Sequence, residues 1–252
     1  MMHGLEKSQE ACMQNSKQSM SLPISEIFYS IDGEGIRTGL PVIFIRLFGC
    51  NLKCSYCDSL YACTAAEDNS HDTQNFYTIT IERILEVIKQ YEPCKAVTVT
   101  GGEPLIHENA KYLVMVLRKN GYDVNIETNG AIDLKPFMKY QQAFEYENEY
   151  FFTMDWKSIS SGESTKMLLG NLSLLRTTDV IKFVVGSVKD LDQMRDVLQK
   201  HPEIKAKVFV SPIWNQISPR LLVEYVLEYK LTDVRVQVQL HKIIWDPDKR
   251  GV

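Results

Sequence analysis

The chain has 252 residues, 44% of them hydrophobic, which is enough for one large core and lies in the size range of a single α/β barrel domain. With 28 Lys and Arg against 32 Asp and Glu, its net charge of -4 offers no broad basic field for a phosphate backbone, so nucleic acid is excluded as the expected partner. Six cysteines are too sparse for a disulfide framework, and a reducing, cytoplasmic compartment is expected.

Residues 1–22 read as a flexible tail. They are rich in Gln, Ser, Lys and Met and lack the apolar stretch of a signal peptide or membrane anchor, so no membrane association is expected and Cys12 is incidental. A single domain is expected over residues 23–252. Residues 42–47 (VIFIRL) read as the first strand, and the polar stretch 62–75 as an inserted loop. Further apolar, β-branched runs at 96–100, 124–127, 151–155, 180–185, 207–210 and 234–240 read as strands. Between them, 79–91, 109–120, 164–176, 189–200 and 219–229 have helical spacing, the last opened by Ser218-Pro219. Strand followed by helix, about six times, predicts a parallel sheet with right-handed crossovers: an α/β fold, a partial TIM-like (β/α)6 barrel.

The chemistry concentrates in Cys50-Asn51-Leu52-Lys53-Cys54-Ser55-Tyr56-Cys57. Three thiolates on one loop can hold three irons of a cubane 4Fe-4S cluster and leave the fourth iron open to a ligand. The alternative is a noncatalytic zinc module, which needs four closed ligands and has Cys63 and His71 as candidates for the fourth. The other chemistry-bearing residues fall at strand ends, where parallel α/β folds build their sites: Gly101-Gly102-Glu103-Pro104, Glu127-Thr128-Asn129-Gly130, Asp155-Trp156-Lys157, Ser211-Pro212 and His241-Lys242. Each has a plainer role available. Arg46 could pair with a core acid, Thr100 could be a β-branched strand residue, Ser59 a loop serine, and Asp155 with Lys157 a strand-end ion pair. His3, His71, His107 and His201 read as surface residues.

The cysteine spacing, the aromatic Tyr56 before Cys57, and Gly-Gly-Glu-Pro after the next strand resemble the radical S-adenosylmethionine (SAM) superfamily over residues 24–245. The resemblance implies SAM chelated on the open iron, close approach of its methionyl amine to the bare Gly101-Gly102 backbone, and a 5'-deoxyadenosyl radical that abstracts hydrogen. Ser30-Ile31-Asp32-Gly33-Glu34-Gly35, Gly39, Phe44-Ile45-Arg46, Cys57-Asp58-Ser59 and Gln239-Leu240-His241-Lys242 are similar to the 7-carboxy-7-deazaguanine synthase family. That similarity implies a lyase acting on 6-carboxytetrahydropterin in queuosine and deazapurine formation, with Arg46 and Glu34 as the catalytic orienting pair. It implies Ile31, Asp32, Gly33, Glu34, Arg46, Thr100 and His241 as substrate-binding residues. Tyr56, Cys57, Asp58, Gly102, Glu127, Asp155, Trp156, Lys157 and Ser211 would hold SAM. Cys50, Cys54 and Cys57 would hold the cluster, and Ser59 a Mg2+ ion. Asp32 stands where that family usually has Gln, and Asp155-Trp156-Lys157 where many members have Ser-Pro-Lys. A flavodoxin or ferredoxin-type electron donor and a homodimer are further implied. The rival inside the superfamily is a glycyl-radical activating enzyme, against which Arg46 and Asp32-Gly33-Glu34-Gly35 argue for a small pterin.

Overall fold

A computed structural model describes residues 20–64, 76–144 and 149–252. Among these, nine strands form one sheet in the order β3-β1-β2-β4-β5-β6-β7-β8-β9. The strands are β1 (Ser21–Ile31), β2 (Pro41–Leu47), β3 (Tyr77–Thr80), β4 (Ala96–Gly101), β5 (Asp123–Thr128), β6 (Tyr150–Lys157), β7 (Val180–Val185), β8 (Lys207–Pro212) and β9 (Val234–Val236). From β2 through β9, omitting β3, each neighbouring pair is parallel, while β1 runs antiparallel to both β2 and β3. β3 and β9 are the two edges, so the barrel is partial and open, as the βα alternation predicts.

The α-helices are α1 (Ile81–Lys89), α2 (Ala110–Lys119), α3 (Lys135–Gln142), α4 (Val188–Lys200), α5 (Pro219–Glu228) and α6 (Leu240–Ile244). Their starts follow from local chemistry. The Thr80 hydroxyl accepts from the Arg83 amide, Ser187 and Asp190 form a reciprocal capping box, and Ser218 accepts from the Leu221 amide with Pro219 in the first turn. α1 buries Ile81, Ile84 and Ile88, the i, i+3, i+7 stripe of a helix laid on a sheet.

Several expectations are corrected. Ser21 and Leu22, assigned to the tail, belong to β1; residues 1–19 lie outside the described residues. β1 and β3 were not anticipated, and the helix expected from residue 79 starts at Ile81 because Ile79 and Thr80 pair with Leu22 and Ser21. α3 was also unforeseen. The helix expected over 164–176 is absent: three short 3-10 turns, Ile159–Ser161, Ser164–Lys166 and Leu169–Asn171, carry the chain from β6 to β7. Its leucine spacing comes from Leu172 and Leu175 being buried one by one from a loop. The last expected strand ends at Val236, and Leu240 and His241 lie in α6. Most of the 62–75 loop, with His71, lies outside the described residues.

Period-two alternation decides what each strand offers to the interior. Ile43, Ile45, Val97, Val99, Val124, Ile126, Phe152, Met154, Ile181, Phe183, Val208 and Val210 pack into one apolar core with the helices. The intervening positions face the other side, where Phe44, Arg46, Thr100, Glu127, Thr153, Asp155, Lys157, Lys182 and Val184 line one cavity. A strand with an apolar back and a charged front thus makes core and site with the same residues.

Candidate active site

The cavity has a volume of about 760 Å³ and gathers nearly every strand-end residue singled out from the sequence. Ile31, Asp32, Gly33 and Glu34 follow β1; Arg46 is on β2; Cys50, Cys54, Tyr56, Cys57, Asp58 and Ser59 come from the loop after β2. Thr100 is at the end of β4 and Gly102 just after it, Glu127 is on β5, Asp155 and Lys157 on β6, and His241 is in α6. Two expected residues are not on this wall. Trp156 is 3% exposed and packs in the apolar core, because its parity on β6 is opposite to that of Asp155 and Lys157. Its side chain therefore faces away from the cavity. Ser211 is fully buried behind Glu34, to whose Oε1 its hydroxyl donates at 3.4 Å.

The cysteine loop is held by backbone. The Gly49 amide donates to the Ala62 carbonyl at 2.7 Å, the Ser55 amide to the Ser161 carbonyl at 3.0 Å, and the Lys53 amide to Glu163 Oε1 at 2.7 Å. The turns between β6 and β7 therefore seat the loop that carries the thiols. Cys50 Sγ accepts from the Leu52 amide and from Asn129 Nδ2, and Cys57 Sγ lies 3.7 Å from Cys63 Sγ. A hydrogen bond from the Cys63 thiol, opposed by burial, brings Cys50 down to about 6 and Cys57 to about 7. Burial pushes the Cys54 thiol up to about 11. Cys63 keeps its proton, because its own bonds to Cys50 and Cys57 and its burial all raise it. Among the described residues no three His, Cys, Asp or Glu side chains converge on one point fit for a single ion.

Behind this loop the glycines leave no room for side chains. A Cβ on Gly102 would fall 2.3 Å from the Gly49 carbonyl oxygen, and one on Gly101 would fall 2.1 Å from that of Leu47. Glu103 is fully buried and ties the turn to β5, accepting from the Thr128 hydroxyl, the Asn129 amide and the Leu105 amide. Burial lifts its carboxyl to about 7 against those three donors. Asp155 Oδ2 holds Lys157 Nζ at 2.7 Å while its Oδ1 is buried without a partner, a free acceptor on the cavity wall. Three thiols, a bare glycine ledge and an orphaned carboxylate oxygen fit a cluster with SAM beside it.

The opposite end of the cavity is held by ion pairs. Arg46 Nε binds Glu26 Oε1 at 2.7 Å, and the Tyr61 hydroxyl donates to the same oxygen at 2.6 Å. Glu34 Oε2 binds Lys182 Nζ at 2.7 Å, each side chain only about a tenth exposed at 12% and 11%. Burial opposes the charge on Lys182, but Glu34, Asp155 and Glu127 around it outweigh that and hold the ammonium protonated. Thr100 is more than a strand former, since its hydroxyl donates to Glu127 Oε2 at 2.6 Å. Asp32 is 3% exposed; it accepts from the Glu34 amide through Oδ1, while Oδ2 has no partner. Burial, with the Glu127 carboxylate nearby, raises Asp32 to about 7. His241 packs on Gly33 so tightly that a Cβ there would meet its Nδ1 at 2.2 Å, and burial lowers its pKa. Ser59 Oγ and Asp58 Oδ1, 3.0 Å apart, give an oxygen pair suited to Mg2+ at the rim, with Asp58 also 3.1 Å from Lys242. His107, expected at the surface, is half-buried and bonds the Phe48 carbonyl at 2.7 Å.

Glu26, Tyr61 and Lys182 were not anticipated. Lys182 interrupts the apolar run VIKFVV, and a lysine at the inward parity of a buried strand is the signal that points to it.

Known proteins are similar to this chain in sequence and in fold. A family model for the radical SAM superfamily matches residues 44–144. The 7-carboxy-7-deazaguanine synthase of Clostridium acetobutylicum is 40% identical over 236 residues, spanning 92% of this chain and 100% of the relative. That of Methanospirillum hungatei is 39% identical, spanning 93% and 90%. The crystal structure of QueE from Escherichia coli superposes with a TM-score of 0.65 at 27% identity, covering 88% of this chain and 95% of the other. The chain belongs to the 7-carboxy-7-deazaguanine synthase family of the radical SAM superfamily.

Proposed function

We propose that this protein is the lyase that converts 6-carboxy-5,6,7,8-tetrahydropterin to 7-carboxy-7-deazaguanine with release of ammonia. One observation carries the proposal: three thiols and the Arg46 and Glu34 ion pairs face each other across a single cavity of about 760 Å³ in a chain whose relatives of this activity match it nearly end to end. Such a volume suits a bicyclic ligand beside a nucleoside. The alignment across almost the whole chain favours this small-molecule chemistry over a glycyl-radical activating enzyme or a zinc module.

The 4Fe-4S cluster and SAM, when bound, supply the radical that removes a hydrogen atom from the substrate. The protein's own contribution is to orient. Arg46 directs its remaining guanidinium N–H groups at the substrate carboxylate. Glu34, fixed by Lys182 and Ser211, accepts N–H bonds from the guanine-like edge of the ring. Thr100 is pinned by Glu127, and Ile31, Asp32, Gly33 and His241 close the ring pocket. Tyr56, Cys57, Asp58, Gly102, Glu127, Asp155 and Lys157 surround the SAM position, and Ser59 offers its hydroxyl to Mg2+. Holding the two reactants in one geometry is how these residues contribute to rate. No helix among the described residues is long and apolar enough to cross a membrane. A cytoplasmic homodimer served by a flavodoxin or ferredoxin-type donor completes the proposal.

Anaerobic reconstitution with iron and sulfide, then incubation with SAM, Mg2+, reductant and the carboxypterin, should yield a deazapurine by mass spectrometry. A cluster-loaded protein that forms none overturns the assignment.

A further inference from the structure

The cavity is rich in cations, but most are already matched. Lys182 is paired with Glu34, Lys157 with Asp155, Lys242 with Asp58, and Arg46 with Glu26. The last pair matters most, because Arg46 is the group set to meet the ligand's carboxylate. Its partner Glu26 is only 20% exposed and is locked in place by the Tyr61 hydroxyl. An incoming carboxylate would therefore face one cation and one anion a few ångströms apart. The two interactions are of similar size and opposite sign. A neutral pair attracts an anion weakly.

A further cation stands at this end. The chain segment from Pro247 to Val252 lines the cavity, and the Arg250 guanidinium stacks 3.9 Å from the centre of the Tyr61 ring. Arg46 lies 6.0 Å from the same ring. Among the described residues Arg250 makes no ion pair with a carboxylate. Two guanidiniums and one carboxylate thus meet around a single phenol ring, and the guanidinium of Arg250 is the one without an acidic partner.

Resting on the pterin reading of this site, we propose that Arg250 is a second substrate-binding residue, which supplies the uncompensated positive charge that the substrate's carboxylate meets beside Arg46. Tyr61 serves both arginines, bonding Glu26 through its hydroxyl and seating Arg250 on its face.

The test compares ligands with and without the carboxylate. Reconstituted, SAM-loaded enzyme is titrated by calorimetry with 6-carboxytetrahydropterin and with tetrahydropterin, for the unsubstituted protein, Arg250→Gln and Arg250→Lys. Losing one charge-assisted contact should weaken carboxypterin binding about tenfold in Arg250→Gln. Tetrahydropterin binding should stay unchanged, and Arg250→Lys should fall between. Equal weakening for both ligands, or none for the carboxypterin, overturns the inference while leaving the proposed function standing. If the unsubstituted enzyme does not bind the carboxypterin, the proposed function fails and the inference with it.

Discussion

The two ends of the cavity are held by different means. Around the thiols, position comes mostly from main chain: Gly49 to Ala62, Ser55 to Ser161, and a glycine ledge that touches carbonyl oxygens, with the Lys53 amide tied to the Glu163 carboxylate. Around Glu34 and Arg46, position comes from buried ion pairs between side chains on strands and in neighbouring loops. The difference matches what each end has to do. A cluster loop must follow the shape of a rigid inorganic core, so its backbone is fixed and few of its side chains bear the load. A ring pocket must discriminate among hydrogen-bonding edges, so charged side chains are fixed in direction by their partners.

The sharpest test of this contrast is Lys182→Met. It should leave Glu34 buried without its cation, at a cost of about 3 kcal/mol or more in stability. A lowered urea midpoint, with loss of carboxypterin affinity and normal iron content, is expected. Iron loss would show instead that the two ends are not separable.

Gly102→Ala examines the other end. The added methyl has only backbone oxygen and the Cys50 Cβ to displace, so a penalty of about 1–3 kcal/mol is expected. SAM binding should fall while carboxypterin affinity in the absence of SAM is kept. Unchanged SAM affinity would mean the ledge is not the nucleoside's neighbour.

The smallest effect concerns Asp32. Its carboxyl titrates at about 7 in the folded chain against 3.8 unfolded, so the native state holds the extra proton between those values. Its contribution is complete below pH 4 and is lost as pH rises through 7. Asp32→Asn removes that dependence and should gain about 1 kcal/mol on the unsubstituted protein between pH 6 and 7, read from urea midpoints. A parallel pH course for the two proteins would place the Asp32 proton elsewhere.

The parallel strands were legible because runs such as Val180 to Val185 are apolar and mostly β-branched, with Lys182 the one polar interruption, the mark of a strand covered on both faces. β1 was not, because it alternates polar and half-buried residues near the sheet edge, where apolar patterning is weak. α3 opens on Lys135-Pro136 with few apolar residues, and the false helix at 164–176 shows that leucines at helical intervals can also be buried singly from turns. Within the site, Cys50, Cys54, Cys57, Gly102, Glu34 and Arg46 were legible from motif and spacing. Lys182, Glu26 and Tyr61 were not, because their meaning lies in partners brought together by the fold: Lys182 and Glu34 are 148 positions apart.

The sheet never closes on itself, yet the turn after β1 meets the segment beyond β9. The Leu240 amide bonds the Gly33 carbonyl at 3.0 Å, the Gly35 amide bonds Gln237 Oε1 at 2.8 Å, and His241 rests where Gly33 lacks a side chain. These contacts act as a clasp across the open seam. Gly33, Glu34, Gln239 and His241 all line the cavity, so the early and late portions of the chain share one wall of it, and that wall exists only once the clasp has formed.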